Sequence, residues 1–204
     1  MTSLPRSADM SDEPIPLHDH AIESVRVIRD AMERAGSFTA VPGAGMIAIG
    51  LTALVAAAVA ASTETGPSWL TTWIVEGCIA SAIATVTIVR KARRLALPLR
   101  SGPARKFALA FLPSLFAGAA LTFTLASHGL GALLPGTWLL LYGTAVTAAG
   151  ALSVRIVPVM GVMFMGLGVA ALILSPGQGN ALMAAGFGGL HVAFGVAIAR
   201  NYGG

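Results

Sequence analysis

Six apolar stretches, separated by short breaks rich in Gly, Pro and Ser, constrain this chain more than any other feature. They run over residues 43–62, 68–89, 105–127, 135–153, 157–174 and 181–199. A helix rises 1.5 Å per residue, so about 20 mainly apolar residues cross a hydrocarbon core of roughly 30 Å. The pattern predicts an all-α membrane protein with six transmembrane helices arranged as three hairpins. Composition agrees: 55% of residues are hydrophobic, 11% are charged and the mean hydropathy is +0.78, which belongs to a bilayer and not to a soluble core. The breaks carry turn chemistry at Gly66-Pro67, Gly102-Pro103, His128-Gly129 and Ser175-Pro176-Gly177, with Ser68 and Asn180 as N-cap candidates. Only Ser153, Arg155 and Pro158 mark the boundary between the fourth and fifth spans.

The thirteen Lys and Arg residues fix the threading of those spans. Arg6, Arg26, Arg29 and Arg34 precede the first span. Arg90, Lys91, Arg93, Arg94, Arg100, Arg105 and Lys106 lie between the second and third, Arg155 between the fourth and fifth, and Arg200 after the sixth. All fall on one side, which the positive-inside rule makes cytoplasmic, with both termini inside. An error in span number would scatter them over both faces. The net charge of +4 therefore reports topology; the basic loop suits anionic lipid headgroups, and nucleic acid is not expected as a partner.

Before the first span, Ala21, Val25, Ile28, Met32 and Ala35 recur at helical spacing opposite Glu23, Arg26, Arg29, Asp30, Glu33 and Arg34. Residues 17–36 are expected to form an amphipathic cytoplasmic helix, after a disordered lead over residues 1–16 that contains Pro5, Pro14 and Pro16. Residues 37–204 make the transmembrane domain. No short basic region leads straight into an apolar one, so no cleaved signal peptide is expected.

Small residues indicate how the spans pack. Gly43 with Gly50, Gly143 with Gly150, Gly161 with Gly168, and Gly188 with Gly195 are each seven apart. Seven residues is close to two turns, so each pair shares a stripe along which a neighbouring backbone can approach. A weak internal repeat is visible too. Pro42-x2-Gly45-x4-Gly50 recurs as Pro158-x2-Gly161-x4-Gly166, and Trp69-Leu70-x2-Trp73 as Trp138-Leu139-x2-Tyr142. Trp69 and Trp138, at outer span ends, are expected to anchor at headgroup level. Pro113 should kink the third span.

Signatures of chemistry are missing. The sequence has no Walker lysine, no HExxH, no nucleophile elbow and no clustered carboxylates. One cysteine, Cys78, allows no CxxC site. Four scattered histidines indicate no metal site, and no cofactor or enzymatic activity is expected. What stands out is one intramembrane acid and one imidazole. Glu76 is eight residues past Ser68 and His191 ten past Ala181, about 12 Å and about 15 Å deep on spans that run the same way. The two form a candidate polar pair near the midplane. A carboxylate there requires a proton or a partner: His191, a hydroxyl or a backbone group.

Ser37-Phe38-Thr39-Ala40-Val41-Pro42-Gly43, Gly102-Pro103-Ala104-Arg105-Lys106-Phe107-Ala108, Ser153-Val154-Arg155-Ile156-Val157-Pro158 and Gly186-Phe187-Gly188-Gly189-Leu190-His191 resemble a family of bacterial six-span integral membrane proteins of no known activity. The resemblance implies a bacterial cytoplasmic membrane and carries no site residues with it. Two functions fit the pattern. A structural or regulatory protein would dock a cytoplasmic partner through the amphipathic helix and basic loop, and a small transporter or ligand-binding protein would use Glu76 and His191. Few polar groups are available to line a hydrophilic path, which favours docking; a homo-oligomer is compatible with either.

Overall fold

The computed structural model describes residues 41–62, 67–95, 102–174 and 176–201, together with Ile22, Ser24, Val25 and Ile28. The chain divides into two units, residues 1–36 and 37–204. In the first, the four described residues are helical, and Ile22, Val25 and Ile28 are exposed; the expected lead and most of the amphipathic helix lie outside the described residues. The second unit is all-helical, with no strand among the described residues. Six of its helices are long and apolar enough to cross a membrane, as a multi-pass membrane protein requires.

The helices are α1 (Gly43–Ala60), α2 (Pro67–Arg94), α3 (Gly102–Ser127), α4 (Leu134–Gly150), α5 (Ile156–Ile173) and α6 (Gly179–Asn201). Local chemistry sets their ends. Pro42 precedes α1 in an extended conformation, and α2 starts on Pro67, whose missing N–H costs nothing at a first turn. Ser68 is thus inside the helix and not its cap. The end of α3 is a Schellman turn: Gly129 takes φ 72, its N–H bonds the Ala126 carbonyl at 3.2 Å, and Leu130 N–H bonds Leu125 at 2.8 Å. A single-turn 3-10 segment, Gly131–Leu133, leads into α4. Helix α2 continues through Arg90, Lys91, Arg93 and Arg94, and Arg105 and Lys106 are in the first turns of α3. Most of the expected basic loop is therefore helix end, and in α2 the cations sit where the helix dipole favours them.

Packing runs from helix to helix as α2 on α1, α1 on α6, α6 on α5, α5 on α4 and α4 on α3. Two of these contacts are backbone to backbone. A Cβ on Gly43 would stand 2.6 Å from the Gly195 carbonyl, and one on Gly50 would stand 2.7 Å from that of Gly188. Across the bundle a Cβ on Gly143 would stand 2.7 Å from the Gly161 carbonyl, and one on Gly150 would stand 2.8 Å from Pro158 N. Gly168 faces Leu140 N at 2.7 Å, and Gly195 faces Ile47 N at 2.9 Å. In each contact residue numbers rise on one helix as they fall on the other, so α1–α6 and α4–α5 are antiparallel. Between helices in lipid, such close approach supplies the dispersion contact that hydrophobicity cannot.

The core holds Trp69, Leu134, Leu139, Met160, Phe164, Met183 and Ile198, all nearly inaccessible. Helix α3 buries no residue, and α2 buries only Trp69, Trp73, Glu76, Lys91 and Ala92. Their outward sides carry exposed Val75, Ile79, Leu109, Phe116 and Phe123, as lipid-facing helices do. Ala92 of α2 packs on Val41, Ala104 and Phe107 at the basic end, where Lys91 Nζ donates to the Val41 carbonyl at 3.0 Å.

Candidate functional site

Helix α6 is irregular where its sequence is richest in glycine. Ala184–Leu190 forms a π-helix between two α-helical pieces. Gly186 and Gly188 permit the wider turn to lie against neighbours, since a Cβ on Gly186 would meet Leu139 Cδ2 at 2.6 Å and one on Gly188 would meet Leu54 Cδ2 at 2.5 Å. Interruptions of this kind concentrate at functional positions. The next residue is His191, which is 3% exposed.

His191 sits in an aromatic box. Its ring is 5.5 Å from Phe164, 5.5 Å from Tyr142 and 6.2 Å from Phe187, with which it is stacked. Tyr142 is 4.9 Å from Phe164, 5.1 Å from Phe187 and 6.0 Å from Phe111. The polar contact inside the box is Tyr142 OH to His191 Nε2 at 2.8 Å. Nδ1 is buried with no bond of acceptable geometry, while the Gly186 and Phe187 carbonyls face the ring. A lone pair pointed at carbonyls would be repelled, so we assign the proton to Nδ1, in which tautomer Tyr142 donates to Nε2. The tyrosine oxygen keeps its lone pairs for another donor.

Those lone pairs are within reach of a cavity of about 490 Å³ that opens between α2 and α3. All six helices line it: Met46 and Ile49 from α1, Ala84 and Ile88 from α2, Phe107, Ala108 and Phe111 from α3, Tyr142 and Val146 from α4, Met160 from α5 and His191 from α6. Apart from Tyr142 and His191, polar lining among the described residues comes only from Ser81, Thr85 and Thr87. Ser81 and Thr85 hydroxyls donate along their own helix to Gly77 and Ser81 carbonyls, and Thr87 to Ile83. The cavity is thus apolar with one hydrogen-bonding spot.

Glu76 is elsewhere. It is 6% exposed and accepts a hydrogen bond from Thr52 Oγ1 at 2.9 Å. It lines an open groove of about 530 Å³ between α1 and α2, among Leu51, Val55, Val75 and Ile79. The structure therefore does not join Glu76 and His191 in a hydrogen bond; each has its own hydroxyl partner, and each borders a different cavity. Among the described residues, no three His, Cys, Asp or Glu side chains gather to hold a metal ion.

The tryptophans correct one expectation. Trp69 is 2% exposed and stacks on Trp138 at 5.7 Å, so it is sealed inside the protein and is no headgroup anchor. The indole N–H groups explain why. Trp69 and Trp73 both donate to Asn180 Oδ1, at 3.2 and 3.1 Å, and Trp138 donates to Thr122 at 2.7 Å. Asn180 Nδ2 in turn donates to the Ala57 carbonyl at 2.9 Å, binding α1, α2 and α6 together. Asn180 is a node between helices and not a cap; Gln178 precedes that helix. The two Trp-Leu-x2-aromatic motifs thus meet face to face, and Trp73 and Tyr142 both pack on Phe187. No family model, no curated protein and no solved structure matches this chain, so what the site does is read from its own residues alone.

Proposed function

We propose that the protein binds an uncharged, lipid-soluble small molecule in the cavity between α2 and α3 and acts by binding, not by covalent chemistry. The single observation behind this reading is an apolar space of about 490 Å³ lined by all six helices and ending on the Tyr142–His191 bond. A space of this size holds a drug-sized ligand, and a few placed polar groups within apolar walls are what orient one. The free lone pairs of Tyr142 suit a ligand with a hydroxyl or N–H donor. An apolar cavity requires no hydrophilic path, which removes the reason for setting ligand binding behind docking. The membrane is taken to be a bacterial cytoplasmic one with both termini inside, from the basic residues and the motif resemblance.

To test the reading, the protein is extracted gently and analysed by native mass spectrometry. Wild type is expected to retain a small apolar adduct that Ala84→Trp or Ala108→Trp, each filling the cavity, excludes. The same adduct on all three proteins would refute it. Threading is checked in a variant lacking Cys78: cysteine at Gly131 or at exposed Gly177 should react with an impermeant reagent from outside, and cysteine at Ser101 should not.

Docking of a cytoplasmic protein stands as a second reading, carried by the exposed apolar row Ile22, Val25 and Ile28 on a helical segment. Ile28→Asp is then expected to abolish recovery of a stoichiometric partner, and unchanged recovery would remove this reading.

A further inference from the structure

Apart from the cavity beneath Tyr142, the bundle has an acid that the proposed ligand site does not use. Glu76 is on α2 about 12 Å along the helix from Ser68, which places it near the middle of a roughly 30 Å core. Its Oε1 is 2.9 Å from Thr52 Oγ1, whose single proton is shared with the Ile49 carbonyl, also at 2.9 Å. Its other oxygen has no protein hydrogen bond among the described residues and is not sealed in the interior. Among the described residues, no Lys, Arg or His bonds it, and no other titratable side chain lines the groove.

The groove around it is built for an apolar body. Leu51 and Val55 of α1 face Val75 and Ile79 of α2, all exposed on the outer surface, and the space between them is about 530 Å³. Thr71 and Thr72 add no free donor to the wall, since their hydroxyls are bonded to the Pro67 and Ser68 carbonyls. A charged carboxylate at this depth is unfavourable unless a proton or a cation accompanies it. Thr52 supplies one hydrogen bond and no charge, so the site is electrically incomplete while Glu76 is ionised.

We propose that the α1–α2 groove binds a lipophilic organic cation from the bilayer, its apolar body against Leu51, Val55, Val75 and Ile79 and its positive charge at the free oxygen of Glu76. Thr52 holds the carboxyl in one orientation and leaves that oxygen to the cation. An inorganic cation fits poorly, because the groove offers no second carboxylate and no set of oxygens to replace a hydration shell. A proton competes for the same oxygen, so binding weakens as pH falls. The site is separate from the α2–α3 cavity and does not rest on the ligand proposed for it.

The test is equilibrium dialysis of tritiated tetraphenylphosphonium against the protein in phosphatidylcholine nanodiscs. Saturable binding at neutral pH is expected, reduced at least about tenfold by Glu76→Gln, as loss of one charge-assisted contact implies. Val55→Trp, which fills the groove from an exposed position, should block binding even if Glu76→Gln folds poorly. Tyr142→Phe should bind as wild type does, which separates this site from the other cavity. Binding by Glu76→Gln within twofold of wild type, or no saturable binding by wild type, overturns the proposal. A dimer dissociated by Val55→Trp, with no cation bound, would give the groove to a second copy of the chain and overturn it equally.

Discussion

Four of the six helices touch through backbone and two touch through side chains. In α1, α4 and α5, Gly43, Gly50, Gly143 and Gly161 stand so close to a neighbour that a Cβ would fall within 2.7 Å of a facing carbonyl, and in α6 a Cβ on Gly195 would stand 2.9 Å from that of Gly43. In α2 and α3, Gly77 and Gly102 have nothing within 4 Å and Gly118 meets only a Leu141 methyl at 3.7 Å. Lipid tails are as apolar as leucine, so helices in a bilayer associate by close fit and hydrogen bonds. Where glycine permits the fit, the inner pairs close. Where bulky residues such as Phe107, Phe111 and Ile88 project instead, space is left, and both cavities border α2, though Gly45 of α1 closes on the Thr87 side chain. An inner frame with two peripheral helices is what the proposed entry of a ligand from the bilayer requires.

This contrast is most severely tested at the inner crossings. Gly143→Val puts a branched side chain against the Gly161 carbonyl and Met165 N, at 2.7 and 2.8 Å from its Cβ. Neither backbone atom can rotate away, so a cost of about 3 kcal/mol or more is expected, read as a large fall in resistance to SDS unfolding. A loss below about 1 kcal/mol would mean that α4 and α5 are not so tightly joined.

A smaller effect is expected at the node that holds α2 to the frame. Asn180→Leu leaves two indole N–H groups without partners and removes the second of the two hydrogen bonds to the Ala57 carbonyl, which keeps the Ala61 N–H. Each unsatisfied group costs about 1–3 kcal/mol in the interior, tempered by the small net value of polar contacts in bilayers. A stability loss of about 2 kcal/mol with altered Trp fluorescence is predicted, and an unchanged emission spectrum would deny that the indoles meet there.

The smallest effects belong to positions with space. A Cβ on Gly166 would have nothing within 4 Å, and Phe116 is 79% exposed. Gly166→Ala should be neutral or stabilise the helix by up to about 1 kcal/mol, and Phe116→Leu should change stability by less than about 0.5 kcal/mol. Thermal unfolding in a fixed detergent compares them; a marked loss at either would place an unseen contact on that face.

How much of this the sequence discloses depends on the range of each interaction. The six spans are legible because hydropathy is summed over about 20 residues. Glycine spacing is legible because it is local, but Gly43 meeting Gly195, and Gly143 meeting Gly161, is not, since a stripe does not name its partner. Glu76 is conspicuous in an apolar run, whereas Thr52 lies on another helix among many hydroxyls and offers no signal of its own. His191 is equally conspicuous, and its partner Tyr142 is hidden as the last residue of the Trp138 motif. The π-helix has a faint sign in Gly186-Phe187-Gly188-Gly189, a run that lowers the cost of a widened turn. Trp69 misleads because position along a span predicts depth and says nothing about which side of the helix faces lipid.

The most direct measurement of the central claim is photolabelling of the protein in liposomes with an apolar diazirine dissolved in the bilayer, followed by peptide mapping. If lipid-soluble molecules reach the cavity between α2 and α3, label should appear at Tyr142 and Met46 inside the bundle as well as at outward Phe116 and Phe123, and Ala84→Trp should remove the inner label alone. Label confined to Phe116, Phe123 and other outward residues, unchanged by Ala84→Trp, would contradict it.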